Sequence, residues 1–488
     1  MKRRSLQAAR TMTSSSRETP RSLCWFRSDL RTEDQPALAA ALQNGPASAL
    51  FIITPAQWQA HHDAPIKVDF RLRALHSLKA DLAELGVALD CLVIDHWRDI
   101  PAALVRYCQQ HGIEQVHCNR EPGVNERRRD RACFTELQNQ GITLVGHEAD
   151  TLLKPGTVKT GSGDYYRVFT PFARRCRDLL RERPYTLTPR PTAQPPLNRA
   201  VNPIPDALPG WSVPTPEQQA LWPATCSHAH HQLGQFIDTT LHGYDQTRDF
   251  PARRGTSSLS PYLALGLVSA GQCLHAALQA NQGELDSGSA GARAWINELL
   301  WREFYRHLLF GFPALSMHQP MKPETAGVAW RNAPDDLAAW QTGHTGIPIV
   351  DAAMRQLLAT GWMHNRLRMI TAMFLTKNLL IDWRLGEAFF MQHLIDGDLA
   401  SNNGGWQWSA STGADAAPYF RVFNPVSQSE KFDPEGRFLM KWLPELATLP
   451  AKQRHDPPAD VRNRVGYPQA IVDLKSSRQR AIDAFAAL

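Results

Sequence analysis

The period of the hydrophobic pattern changes along this chain, and that change limits the folds open to it. Between residue 22 and about residue 150, short β-like apolar runs at 23–26, 49–53, 90–94, 115–118 and 143–146 alternate with amphipathic stretches such as 70–85 and 126–139. Strands separated by helices of this length predict βαβ units around a parallel sheet, because parallel neighbours need a crossover. Residues 184–223 carry Pro184, Pro189, Pro191, Pro195, Pro196, Pro203, Pro205 and Pro209, which predicts a connector running over the surface. After residue 233 the spacing turns helical, with helices expected at 260–279, 292–310, 349–360, 363–380 and 386–394. Gly311, Pro313 and Gly361 stand where stops belong. The expected organisation is therefore a leader at 1–21, an α/β domain at 22–151, a linker at 152–232, a mostly α domain at 233–475 and a short tail at 476–488. A chain of 488 residues has room for two or three such units.

Several function classes fall away. No GxGxxG follows the first strand, so the usual dinucleotide fingerprint is missing from the α/β domain. No apolar run approaches the roughly 20 residues that span a bilayer. The eight cysteines form no CxxC pair and none lies beyond Cys273, which fits a reducing compartment and denies the second half thiolates for an iron–sulfur cluster. The net charge of +6 permits nucleic-acid binding without demanding it. The first twenty residues are basic and Ser-rich without a secretory apolar stretch, and read as a transit peptide, a disordered leader or an early start ahead of Met12. His228, His230 and His231 lack a Cys or carboxylate at ligand spacing, so no metal site is expected.

Four constellations carry chemistry. In 295–306, Glu298, Arg302 and Arg306 recur every four residues while Trp301 and Tyr305 form a neighbouring stripe. This is either an ion-paired amphipathic helix or a wall for a base and its phosphates. In 361–369, Trp362, His364, Asn365, Arg366 and Arg368 sit in an otherwise apolar helix, where they are costly to bury without a polar ligand. In 396–408, Asp396, Asp398, Asn402, Asn403 and the pair Gly404–Gly405 allow close backbone approach to a ligand. Calcium is rejected there, because Ala400 stands where its loop needs an oxygen. In 255–260, Gly255, Thr256, Ser257, Ser258 and Ser260 precede a helix and suit phosphate, with Tyr244 and Arg248 just upstream. Pattern alone ends at a helical nucleotide-binding domain with a possible place on DNA.

The blocks CWFRSDLR at 24–31, WINELLWREFYRH at 295–307, GIPIVDAAMRQL at 346–357, GWMHNRLRMITA at 361–372 and DGDLASNNGGWQW at 396–408 resemble the cryptochrome/photolyase family from about residue 22 to 475. The resemblance implies an α/β, Rossmann-like antenna domain with a parallel sheet, a long linker and an all-α FAD-binding domain. It implies that Tyr244, Thr256, Ser257, Ser258, Leu259, Ser260, Trp295, Arg302, Asp396, Gly397, Asp398 and Asn402 hold FAD, with Asn402 the amide beside flavin N5 that favours the reduced anionic form. Glu298, Trp301, Tyr305, Asn365, Met369 and Trp408 are implied in a pocket for a flipped pyrimidine dimer, a step borrowed from the base-flipping enzymes, which include photolyases. Arg248, Arg302, Arg366, Arg421 and Gln428 are implied on the DNA groove, and Trp330, Trp383 and Trp406 as the electron path to an oxidised flavin. The implied activity is light-driven opening of cyclobutane pyrimidine dimers, with the excited reduced flavin lending an electron to the dimer.

Within the family, Asn365 and Met369 stand where 6-4 enzymes carry a His pair, which fits the class I cyclobutane branch, as does the amide at Asn402. A light-signalling cryptochrome without repair activity is the alternative. For the antenna, His61, Asn125 and Glu126 match methenyltetrahydrofolate contacts, whereas Met317 replaces a Lys and the EPGVNE segment departs at its glycine, so a deazaflavin stays open. The implied partner is dimer-containing DNA, met by a cytoplasmic monomer that joins the nucleoid at damage.

Overall fold

The computed structural model describes residues 21–43, 45–197 and 200–488; the leader at 1–20 lies outside the described residues. Five strands, β1 (Arg21–Phe26), β2 (Ala47–Ile53), β3 (Leu89–Val93), β4 (Ile113–Asn119) and β5 (Thr143–His147), form one parallel sheet in the order β3-β2-β1-β4-β5. Each predicted strand is present and most are extended by one or two residues. β2 is buried along its whole length, as expected for a strand covered by helices on both faces. One covering core contains Phe26, Phe51, Leu75 and Leu78, and the other Leu23, Trp25, Leu104 and Cys133.

The connector is more structured than its prolines suggest. It holds the helix Phe169–Glu182 and a short helix, Pro216–Leu221, started by a capping box on Thr215. Asp34 fastens it to both domains, accepting from Tyr185 Oη (3.0 Å), the Thr188 backbone N–H (3.0 Å) and Ser269 Oγ (2.5 Å).

The second half is helical. The single helix expected at 260–279 is two, Ser260–Ala264 and Ala270–Ala280, because Ser269 and Gln272 form a capping box that restarts the chain. Gly266, at φ +69° and pressed against the Ser28 carbonyl, makes the turn between them. The helix expected at 363–380 begins at Asn365 and passes into a π turn at Phe374–Asn378. The tail placed at 476–488 belongs to a helix, Leu474–Ala486, whose Ser477, Ala481 and Phe485 are buried. Phe485 sits on Trp330 (6.0 Å between ring centroids) and under the buried Lys377 ammonium (3.7 Å). Among the described residues, no helix is long and apolar enough to cross a membrane.

Candidate active site

The helix Ala290–Gly311 is the spine of the site. Ser289 caps it, and its buried face (Trp295, Leu299, Phe304) packs into the larger core. Its other face carries Glu298, whose carboxylate takes a 2.6 Å hydrogen bond from Arg248 Nη1. Burial pushes the Glu298 carboxyl above its ordinary range, against the opposing pull of the Arg248 charge. One turn on, Trp301 stacks on Phe169 at 3.8 Å and 7°, and Tyr305 lies 5.6 Å away. Phe169 covers one face of the indole. It escaped the sequence reading, since a lone Phe in a connector carries no signal.

The same helix sends two arginines inward. Arg302 donates to the Asp150 carbonyl (2.5 Å) and carboxylate (2.6 Å), and Arg306 bridges Asp150 (2.7 Å) and Asp398 (3.0 Å). Arg302 has 14% of its side chain exposed and lines the cavity between the domains.

A second wall comes from Gly361–Met373. His364 caps the helix by accepting the Arg366 backbone N–H at Nδ1 (3.1 Å), and its ring also meets the Arg248 backbone. Burial pushes this imidazole down to about 4, so it is neutral at physiological pH. Asn365 is exposed and its amide nitrogen touches Met369 Sδ at 4.0 Å. Arg366 pairs with Asp249 (2.8 Å) over the Phe432 ring (4.4 Å). Arg368 pairs with Asp396 Oδ2 (2.7 Å), whose buried Oδ1 is left without a partner.

Asp396, Gly397 and Asp398 lead into the helix Leu399–Ala410, which Asp398 caps by accepting the Ser401 N–H (2.9 Å). Two arginines hold the Asp398 carboxyl well below the usual carboxylate range. Asn402 donates its amide nitrogen to the Glu387 carbonyl (3.0 Å), which leaves the amide oxygen as the end able to take a donor. Across the cleft, the Gly255–Ser260 loop is pinned by Gln232 to the Ser257 carbonyl (2.7 Å) and by Trp362 Nε1 to Ser260 Oγ (3.2 Å). Ser258 adopts φ +51°, a left-handed step of the kind that turns successive N–H groups toward an anion. Thr256, Ser257 and Ser258 are half-exposed, whereas Tyr244, Leu259 and Trp295 are buried behind them.

This donor set suits a dinucleotide flavin. It offers a hydroxyl-rich turn for phosphates, a buried carboxylate oxygen lacking a partner at Asp396, and an amide at the foot of a Gly-paired helix.

Trp383 and Trp406 are buried in the second core, with Trp330 half-buried at its margin. The helices of Trp383 and Trp406 touch so closely that a Cβ on Gly386 would lie 2.1 Å from Trp406 Cη2. Trp340 edges onto Trp406 at 6.0 Å and went unflagged by sequence. Trp408 is half-buried, Arg421 exposed and Gln428 half-buried. Next to Arg421, Tyr419 (38% exposed) and Phe420 (56%) form an aromatic tip that no sequence pattern marked.

A cavity of about 400 Å³ separates the two domains. It is lined at the carboxyl ends of the strands by Arg27, Thr54 and Asn119, and on the helical side by Arg302, Met391 and Asp398. His61, Asn125 and Glu126 meet at its rim, with His61 Nε2 3.4 Å from Asn125 Nδ2 and 3.0 Å from Gln57 Nε2. Burial raises the Glu126 carboxyl to about 7.

The sequence matches the family described as DNA photolyase over residues 22–195, and the FAD binding domain of DNA photolyase over 295–487. It is 45% identical to the deoxyribodipyrimidine photo-lyase of Salmonella typhimurium over 478 residues, covering 96% of this chain and 99% of that one. Among solved structures it resembles a bacterial class III photolyase from Agrobacterium tumefaciens (TM-score 0.83, 35% identity, 98% and 99% of the two chains). A cryptochrome from Synechocystis sp. PCC6803 is similar at TM-score 0.84 and 27% identity, over 95% of this chain and 99% of that one.

Proposed function

The chain belongs to the DNA photolyase family, and from that premise we propose how its residues divide the light-driven repair of cyclobutane pyrimidine dimers in DNA. Bound and reduced, FAD supplies the light-driven electron that opens the cyclobutane ring. The protein's own task is to bring the dimer close, exclude water and hold protons in place.

The observation that carries this reading is the set of contacts along two neighbouring walls, with Glu298 held by Arg248, Asn365 against Met369, and Arg368 of the same helix held by Asp396. Glu298, with its carboxyl raised by burial and held in place by Arg248, is the group assigned to hydrogen-bond the dimer. Trp301, backed by Phe169, and Trp408 offer rings against which an extruded dimer can stack. Asn365 and Met369 close the pocket. Arg248, Arg366 and Arg421, with Gln428, carry the phosphate contacts. The half-buried amide of Asn402 would stand beside flavin N5 and favour the reduced anionic form. Thr256, Ser257, Ser258 and Ser260 take the phosphates, with Tyr244, Leu259 and Trp295 as their apolar backing. Trp330, Trp383 and Trp406 carry an electron inward when the flavin is oxidised.

Repair of a thymine-dimer oligonucleotide under blue light, after chemical reduction of the flavin, tests the whole assignment. Intact dimers after illumination would refute it. The signalling alternative draws on the cryptochrome likeness, but identity is far higher to relatives that bear the photo-lyase name.

For the antenna, His61, Asn125 and Glu126 at the cavity rim favour methenyltetrahydrofolate. The deeper aromatic lining by Trp25 and Trp97 keeps a deazaflavin as the second reading. The absorption spectrum of the purified protein separates them, near the ultraviolet edge for folate and further into the blue for deazaflavin. Recovered monomer by light scattering tests the expected oligomeric state.

A further inference from the structure

We propose that Glu387, which has no role in the scheme above, positions the Asn402 amide, and that His318 makes this positioning depend on pH. The inference rests on the reading of Asn402 as the amide that faces the flavin.

Glu387 lies in the helix Trp383–His393 with 1% of its surface exposed. Its backbone carbonyl accepts from Asn402 Nδ2 at 3.0 Å. Its carboxylate accepts from Asn403 Nδ2 through Oε1 (3.0 Å) and meets His318 Nδ1 through Oε2 (2.8 Å). The network continues from Asn403 Oδ1, which accepts from Gln407 Nε2 (2.8 Å). Gln407 in turn takes the Met321 N–H (2.8 Å) and donates to the Gln319 carbonyl (3.2 Å). The circuit thus begins and ends on the loop 318–321, and clamps that loop to the helix that carries Asn402.

A buried carboxylate satisfied only by neutral amides is costly, so the circuit needs its one charged partner. That partner reaches solvent, because half of the His318 side chain is exposed (51%). The charged and titratable groups facing His318 are Glu387, Arg384 and, across the interdomain cavity, His61. Arg384 donates to the His318 carbonyl (2.8 Å) and is itself tied to Asp382. The Glu387 carboxylate raises the imidazole above its usual value, with Arg384 opposing. A raised histidine keeps its charge below that raised value, and the ion pair is lost as pH rises through it. The loop 318–321 then loses its charged tie to the helix Trp383–His393, whose Glu387 holds both Asn402 and Asn403.

The test uses the flavin-loaded protein with three variants, His318→Gln, Glu387→Gln and Asn402→Ala. His318 is exposed, so its replacement leaves the fold intact, and Glu387→Gln preserves an acceptor for Asn403. Ring carbons of labelled histidine, assigned by the signal missing in His318→Gln, should titrate above about 6.5 for His318. That value should fall toward 6.5 in Glu387→Gln. The midpoint potential of the bound flavin should show an inflection at the His318 pKa, lost in both His318→Gln and Glu387→Gln. Identical potential profiles for the parent and His318→Gln, with a shifted potential in Asn402→Ala, overturn this inference alone. An unshifted potential in Asn402→Ala overturns the placement of the flavin and this inference with it.

Discussion

The Glu298 carboxylate and the Arg248 guanidinium meet at 2.6 Å, each with under a third of its side chain exposed. The pair joins the spine helix to the segment after Tyr244–Thr247, and it sets opposite forces on one proton. Burial raises the carboxyl while Arg248 lowers it, with burial the larger effect. Arg248 thereby fixes the direction of the Glu298 carboxyl, the group assigned to hydrogen-bond the dimer.

Glu298→Ala should therefore lower the quantum yield of repair several-fold with flavin content unchanged. Arg248→Ala should weaken binding of dimer-containing DNA about tenfold, roughly 1.4 kcal/mol. Gel-shift titration with damaged duplex, beside photorepair yields, checks both. Arg248 is assigned both a phosphate contact and the Glu298 pair, so undamaged DNA should also lose affinity but by less; unchanged binding of both would remove Arg248 from the groove.

Trp383→Phe should abolish light-driven reduction of oxidised flavin and spare repair once a reductant is supplied. Trp383 is fully buried, so a thermal melt must accompany the assay to confirm that the fold survives. Photoreduction at the parent rate would remove Trp383 from the electron path.

Asp63 makes a buried trio with Lys67 (2.7 Å) and Arg71 (3.1 Å), and these two cations pull its carboxyl down to about 2 despite burial. A depressed carboxyl adds stability above its unfolded value near 3.8, and that stability is lost as pH falls through about 2. The shift corresponds to about 2 kcal/mol at neutral pH. Urea unfolding of the parent and Asp63→Asn should differ by about that much at pH 6, and the gap should close between pH 4 and 2. A gap independent of pH would refute the ion trio as its source.

Arg421 is exposed beside the Tyr419–Phe420 tip. Arg421→Ala should weaken damaged and undamaged DNA alike and reduce the slope of log K against log salt by about one. A loss confined to damaged DNA would instead assign Arg421 to the dimer pocket.

The five strands, the change to helix after residue 233 and the order of the ligand-bearing blocks were legible in the sequence, because burial imposes a period that local residues display. Helix breaks were less so. The restart at Ser269 depends on a capping box and on Gly266 packing against Ser28, and the second of these is a contact between residues far apart in the chain. Candidate site residues could be named one by one from motifs, but their directions could not. Arg302 and Arg306 lie one turn apart on a helix, and only the arrival of Asp150 from the other domain turns both inward. Phe169 behind Trp301, and Glu387 and His318 behind Asn402, left no mark in the sequence at all. A side chain's type and its spacing are written locally, whereas its partner is chosen by packing, and charge, protonation and orientation follow from the partner.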